Sequence, residues 1–282
     1  MEYEITDLAL EITRKCNMRC AHCLRGEAQK QTMGDDIIKS ALQAVKVIRT
    51  LTFTGGEPTL AVNQILYALK CAQENEIEIN QIYLVTNGKV VSDRFLNAMR
   101  DWHIYCQASS QGYRGPDISG DRLSRMVHSL CDYSREERYG AWVALSADKY
   151  HEPISIQNVY RLSSIPFFNA DKAILRQDKD WIIQEGRAKE NCLYGTPGRE
   201  LRRWEYDERA TQLDPEVSND GQSCKIEQLY IAYDGAVVKN CDYTYEQIPS
   251  FQLEAIEPGK YPHGVDTHWL DRLAAKHLEK SE

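Results

Sequence analysis

The sequence predicts an α/β fold, a partial (β/α)6 TIM-like barrel with a small C-terminal extension that contains a β-hairpin and a terminal helix. Three observations lead there. Short runs rich in β-branched and aromatic residues alternate with longer stretches whose apolar residues recur at helical intervals. Polar residues collect on one parity toward the C-terminal ends of several runs, as expected where a site lies at the mouth of a barrel. Beyond about residue 190 the alternation stops, which divides the chain into a barrel at 1–190 and an extension at 191–282.

The expected strands are 7–13, 50–55, 81–88, 103–110, 141–147 and a run near 172–185. The expected helices fill 35–48, 61–74, 92–100, 121–132 and 154–164. Repeated strand–helix units imply a parallel sheet, because parallel neighbours need crossover connections. An open doubly wound sheet is the competing arrangement. Within "AWVALSADKYHE" (141–152), Val143, Leu145 and Ala147 face the outer helices, whereas Trp142, Ala144, Ser146 and Asp148 face the lumen. Glu11 and Thr13 oppose Leu10 and Ile12 in the same way. In 103–110, Ile104, Cys106 and Ala108 alternate with His103, Tyr105, Gln107 and Ser109. Further on, 195–222 is charged and loop-like, and "LYIAYDGAVVKNC" (229–241) reads as two strands turned at Asp234-Gly235. Residues 268–280 suit a closing helix.

A formal charge of -8 and a pI of about 5.5 work against broad attraction to a nucleic acid backbone, so no nucleic acid partner is expected. Arg199, Arg202 and Arg203 still form a short basic run. The opening "MEYEITDLAL" lacks the basic and apolar regions of a signal peptide. No apolar run approaches the ~18 residues that span a bilayer. A cytoplasmic protein with no membrane partner is expected. In a reducing compartment, the nine cysteines point to metal binding or chemistry more than to disulfides.

Three of those cysteines crowd together. Cys16, Cys20 and Cys23 lie in "CNMRCAHC", spaced by three and then two residues, after Arg14 and Lys15 and with His22 among them. Clustered thiolates hold zinc, a [4Fe–4S] cluster or nothing. Zinc would need His22 or a remote cysteine as a fourth ligand. A cluster held by three thiolates keeps one iron open to an external ligand. One strand–helix unit later comes "TGGEP" (54–58). Its adjacent glycines allow close backbone approach to a ligand, Glu57 adds a carboxylate, and Pro58 restricts the turn.

At these residues the sequence resembles the radical S-adenosylmethionine (SAM) superfamily, over roughly the first two-thirds of the chain. The resemblance implies that Cys16, Cys20 and Cys23 ligate a [4Fe–4S] cluster whose open iron binds SAM. It implies that Gly55, Gly56, Glu57 and Pro58 meet the methionine end of SAM. "ASSQG" (108–112) resembles a fourth-strand motif and points to Ser109 as a cofactor contact, although Gln111 stands where an acid is usual. "VTNG" (85–88) resembles a third-strand end near the cofactor and is equally a good turn. "EGRA" (185–188) resembles a sixth-strand motif and nominates Arg187. Ser146 is assigned to the cofactor, and Asp148 and His151 to the ribose or the substrate. Tyr150 lies beside them.

Cys192, Cys224 and Cys241 lie beyond the barrel, two of them flanking the Asp-Gly turn. They resemble a reduced SPASM or Twitch extension and imply an auxiliary Fe–S cluster, with two buried structural thiols as the plain alternative. Cys71, Cys106 and Cys131 read as structural. The resemblance implies reductive cleavage of SAM and hydrogen abstraction, with flavodoxin or ferredoxin as electron donor. A ribosomally made peptide is the leading substrate. The alternatives are a small molecule (an aminosugar dehydrogenase or a step of cofactor or nucleotide biosynthesis) and a glycyl-radical partner. A zinc-binding regulatory protein is the alternative from outside enzymology.

Overall fold

The computed structural model describes residues 1–110, 139–147, 150–169, 182, 185–193, 213, 215–240 and 242–278. Strand β1 (Glu2–Thr13) is followed by α1 (Asp35–Gln43), β2 (Val47–Gly55), a 3-10 turn (Pro58–Ala61) and α2 (Val62–Glu74). Then come β3 (Glu78–Thr86), α3 (Asp93–Ser109), β4 (Gly140–Leu145), α4 (Ile156–Leu162), β5 (Phe167–Asn169) and the short α5 (Arg187–Glu190). The C-terminal part contributes β6 (Glu216–Val217), β7 (Ser223–Ile231), β8 (Ala236–Val238), β9 (Glu254–Ala255) and α6 (Trp269–Leu278).

These strands form one sheet in the order β5-β4-β3-β2-β1-β7-β8-β9. The first five run in chain order, each parallel to the one before. Helices α1, α2 and α3 pack side by side. A doubly wound sheet would reverse its strand order partway and carry helices on both faces. This progression is the wall of a partial barrel. Strand β7 joins parallel to β1 on its other edge, with Leu8 opposite Leu229 and Leu10 opposite Ile231. The hairpin expected at Asp234-Gly235 is present as the antiparallel β7–β8 pair, and the expected closing helix is α6.

The expected alternation positions the site. Leu8, Leu10 and Ile12 of β1 enter the main core with the helices, as do Val143 and Leu145 of β4. On the opposite parity of β1, Ala9 joins a second apolar cluster with Tyr230, Tyr243 and Tyr245. Glu11 and Thr13 are buried there as well. The polar end of β1 is therefore enclosed between the barrel and the C-terminal strands.

One element departs from expectation. Residues 103–110 are not a strand: α3 runs on through Ser109, capped at its start by Ser92 Oγ, which accepts from Phe95 N at 3.1 Å. Buried Phe95, Met99, Trp102 and Cys106 keep helical spacing across the whole segment. That longer period outweighs the brief alternation of its last turns. Cys71 and Cys106 are buried as structural thiols. The expected helix at 121–132, with Cys131, lies outside the described residues. So does nearly all of the run near 172–185, together with Asp148 and Cys241.

Leu229 is fully buried opposite Leu8, where β7 meets β1. Leu229→Ala is expected to lower the unfolding free energy by about 2–5 kcal/mol. Urea denaturation of the variant beside the native chain checks this.

Candidate active site

The thiol loop leaves the C-terminal end of β1, the end of a parallel barrel where sites form. Its base is closed by backbone pairing: Arg14 N donates to Gln31 O at 3.0 Å, Gln29 N to Arg14 O at 2.9 Å, and Met33 N to Ile12 O at 3.0 Å. Inside it, Met18 N donates to Cys16 Sγ at 3.4 Å and Cys23 N to Cys20 O at 3.2 Å. Burial pushes the Cys16 thiol pKa up, against the pull of the backbone amides of Met18 and Asn17. Cys16, Cys20 and Cys23 all line one cavity of about 360 Å3, together with Gly56, Arg187 and Tyr245.

The Gly-Gly turn meets this loop backbone to backbone. Gly56 N donates to Thr13 O and Glu57 N to Lys15 O, both at 2.8 Å. A Cβ at Gly55, whose φ is +132°, would lie 1.9 Å from Thr13 O, and one at Gly56 would lie 2.3 Å from Lys15 O. Only glycine fits either position.

Glu57 buries its carboxylate under the turn. It is 1% exposed. Oε1 accepts from Thr59 N at 3.2 Å and from the hydroxyls of Thr59 and Thr86, both at 2.7 Å. Oε2 accepts from Asn87 N at 2.8 Å. In this structure the Glu57 carboxylate is engaged by the protein's own donors. Glu57 caps the 3-10 turn that begins at buried Pro58 and ties the end of β2 to the end of β3. Asn87 extends the tie by donating from Nδ2 to Asn17 Oδ1 in the thiol loop at 2.8 Å.

The loop after β4 reaches the same place. Ser146 N donates to Thr86 O at 2.8 Å, and Ser146 Oγ lies 3.0 Å from His151 Nε2. The rings of His151 and Tyr150 lie 5.0 and 5.1 Å from the ring of His22. Glu152 lines the cavity and pairs with Lys89. Arg187 N donates to Cys23 O at 2.9 Å, and its guanidinium stands 3.6 Å from Glu27. Arg187 Nε is buried without a partner among the described residues.

Two assignments separate from this assembly. Ser109 ends α3 and bonds only to backbone at the far end of β3, to Ile79 N at 3.3 Å and Ile79 O at 3.2 Å. Its assignment to the cofactor fails because the segment is helical and carries it to the opposite end of the barrel. Cys192 is exposed just after α5, near the thiol loop, since Asn191 Nδ2 donates to Ala21 O at 3.0 Å. Cys224 is fully buried at the start of β7, opposite Tyr3. Because β7 runs parallel to β1, Cys224 lies roughly 20 Å along the strand from Tyr230, which faces the thiol loop. Cys192 and Cys224 cannot share one auxiliary cluster.

The sequence reading missed a layer beneath the loop. Arg14 and Glu11 form a buried ion pair, and Tyr230 OH donates to Glu11 Oε2 at 2.6 Å. Arg25 donates to Tyr243 O at 2.5 Å and lies over the Tyr230 ring. The wealth of tyrosine in 230–245 beside a hairpin was the available signal.

Residues 10–109 match the Radical SAM superfamily. GTP 3',8-cyclase of Chlorobaculum tepidum is 29% identical over 136 residues, 46% of this chain and 36% of that protein. GTP 3',8-cyclase of Corynebacterium glutamicum is 35% identical over 92 residues, 29% and 24% of the two chains. The chain spans about a third or less of the length of these curated relatives. Among solved structures, native anSMEcpe with bound AdoMet and the Kp18Cys peptide aligns with a TM-score of 0.40 and 16% identity, covering 59% of this chain and 42% of the other. Streptococcus suis SuiB bound to precursor peptide SuiA gives 0.35 and 12%, covering 84% and 59%. Residues 10–109 thus carry a match to the radical SAM superfamily, a family that uses a [4Fe–4S] cluster and SAM.

The residues fit those cofactors. Three soft thiols line a cavity together with Gly56, where no side chain could be accommodated. Among the described residues, no three His, Cys, Asp or Glu side chains converge on a point that would hold a single metal ion.

Glu57→Gln places an NH2 group against donors and is expected to cost about 1–3 kcal/mol of stability near pH 4.5. Burial raises the pKa of the Glu57 carboxyl above its usual 4.5, against its hydrogen bonds. Stability from its proton is therefore complete below pH 4.5 and is lost as pH rises through the native value. The gap between native and variant protein should narrow above pH 4.5, which urea titrations at stepped pH would show.

Proposed function

We propose that this chain reductively cleaves SAM and directs the resulting radical to a C–H bond of a polypeptide substrate. The observation that carries the reaction class is the seating of Cys16, Cys20 and Cys23 around one cavity that Gly56 also lines, its backbone paired to the base of the thiol loop. When bound, the cluster and SAM supply one-electron cleavage to methionine and a 5'-deoxyadenosyl radical that takes hydrogen from the substrate.

The protein's share is to hold, orient and exclude. The three thiolates hold the cluster and contribute no fourth ligand. Gly55 and Gly56 bring the backbone close to the methionine end of SAM. Arg187 Nε, which has no partner among the described residues, suits a carboxylate entering the cavity, which would relieve the cost of a buried, unsatisfied donor. Ser146 and His151 stand at the end of β4, where an imidazole paired with a hydroxyl can hold or pass a proton. Asp148, which the sequence also nominates, lies outside the described residues. A one-electron donor such as flavodoxin or ferredoxin serves this reading, in a cytoplasmic setting. Among the described residues, no helix is long and apolar enough to cross a membrane.

The peptide reading draws on Tyr230, Tyr243 and Tyr245, which cluster beside the thiol loop. The second reading is a small nucleotide-like molecule, favoured by the likeness to GTP 3',8-cyclases. That likeness spans a minority of each relative, so it bears on the cofactor-binding part more than on the substrate.

The test is anaerobic reconstitution followed by incubation with SAM and a reductant. About four irons per chain and release of 5'-deoxyadenosine are expected. Cys20→Ala should abolish both. A bound zinc ion with no iron uptake would return the chain to the zinc-binding alternative. Adding a peptide encoded beside this chain should speed deoxyadenosine release and change the peptide's mass. Stimulation by GTP instead would favour the nucleotide reading.

A further inference from the structure

Arg14 lies two residues before the first thiol and is 7% exposed. Its guanidinium is engaged both by polar partners and by aromatic rings. Its Nε donates to Glu11, and NH1 donates to Gln29 Oε1 at 3.1 Å. Above and below, the rings of Tyr233 and Tyr245 lie with their centroids 4.4 and 4.3 Å from its Cζ. The two tyrosines come from either side of β8. Tyr233 belongs to the Asp234-Gly235 turn, and Tyr245 also lines the thiol cavity. The same stretch of chain grips the far end of the loop, where Tyr245 N donates to Arg25 O at 3.4 Å.

A planar cation between two aromatic faces is fixed in orientation as well as position, which a lysine ammonium at the same place would not be. The backbone of Arg14 is equally committed, with its N and O paired to Gln31 and Gln29. Rotation of this residue would therefore pull on the base of the thiol loop.

We propose that Arg14 is a positioning residue through which the C-terminal hairpin sets the seat of the cluster. The contacts of Tyr233 and Tyr245 with Arg14 make these two tyrosines a structural part of the cluster site. This rests on the reading that Cys16, Cys20 and Cys23 hold a cluster. It assigns these tyrosines a supporting role toward the metal centre that needs no auxiliary cluster in the C-terminal segment.

The test uses the reconstituted full chain and reads two quantities: the rate at which a chelator removes iron, and the EPR line shape of the reduced cluster. Arg14→Lys keeps the charge and loses the planar stack. Tyr233→Leu removes one face of it at a partly exposed turn, and Tyr233→Phe retains that face. Iron loss should quicken by about 10- to 100-fold in Arg14→Lys and Tyr233→Leu, with an altered line shape, as when support around a metal ligand is removed. Tyr233→Phe should match the native chain. Native-like iron retention and line shape in Arg14→Lys and Tyr233→Leu would overturn the proposal, as would a Phe variant as impaired as the Leu variant. Should Arg14→Lys fail to fold, the Tyr233 pair decides alone. A native chain that takes up no iron sinks the cluster reading itself, a result distinct from either outcome among the variants.

Discussion

The site depends on two backbone hydrogen bonds, Gly56 N to Thr13 O and Glu57 N to Lys15 O, each 2.8 Å long. They join the end of β2 to the base of the thiol loop at a separation that excludes any side chain at Gly55 or Gly56. The Glu57 carboxylate then secures the same turn to the end of β3 through Thr86 and Asn87. Three strand ends are thereby held as one rigid rim. A site that must grip a cluster by three thiols and still admit another molecule needs such a rim, because the thiols alone sit on a long loop.

The other side of β1 is secured by different chemistry. There, the Glu11–Arg14 ion pair is buried with Tyr230, Tyr233 and Tyr245 around it. Buried ion pairs contribute little net stability and fix geometry instead, because displacing one partner strands the other charge. The thiol loop is therefore held by backbone pairing on the β2 side and by a polar aromatic network on the β7 side. The sheet makes both possible, since β1 has parallel neighbours on both edges.

Much of this was legible in the sequence. Strand parity around Leu10–Thr13 and Ala141–Leu145 identified which residues face the core, because the period of a strand is local and the burial contrast is strong. The cysteine spacing and the Gly-Gly turn identified the cavity from chemistry and sterics confined to a few residues each. What escaped was set by tertiary contact. The alternation in 103–110 is local, whereas the face of α3 that carries Phe95, Met99 and Trp102 decides that segment. The parallel direction of β7, which carries Cys224 away from the loop and Tyr230 toward it, comes from pairing across more than two hundred residues. The inward turn of the Glu57 carboxylate depends on Thr86 and Asn87 being at hand, and nothing near Glu57 in sequence announces them.

On the proposed reading, all of these supports serve a trio of sulfurs that holds a cluster with one position open to an outside ligand. The most direct examination is pulsed EPR of the reduced, reconstituted chain mixed with SAM labelled with 15N at its amino group. The account predicts a hyperfine coupling between that nitrogen and the cluster, together with a changed continuous-wave spectrum. A reduced cluster whose spectrum is the same with and without SAM, and which shows no coupling to the label, would contradict it.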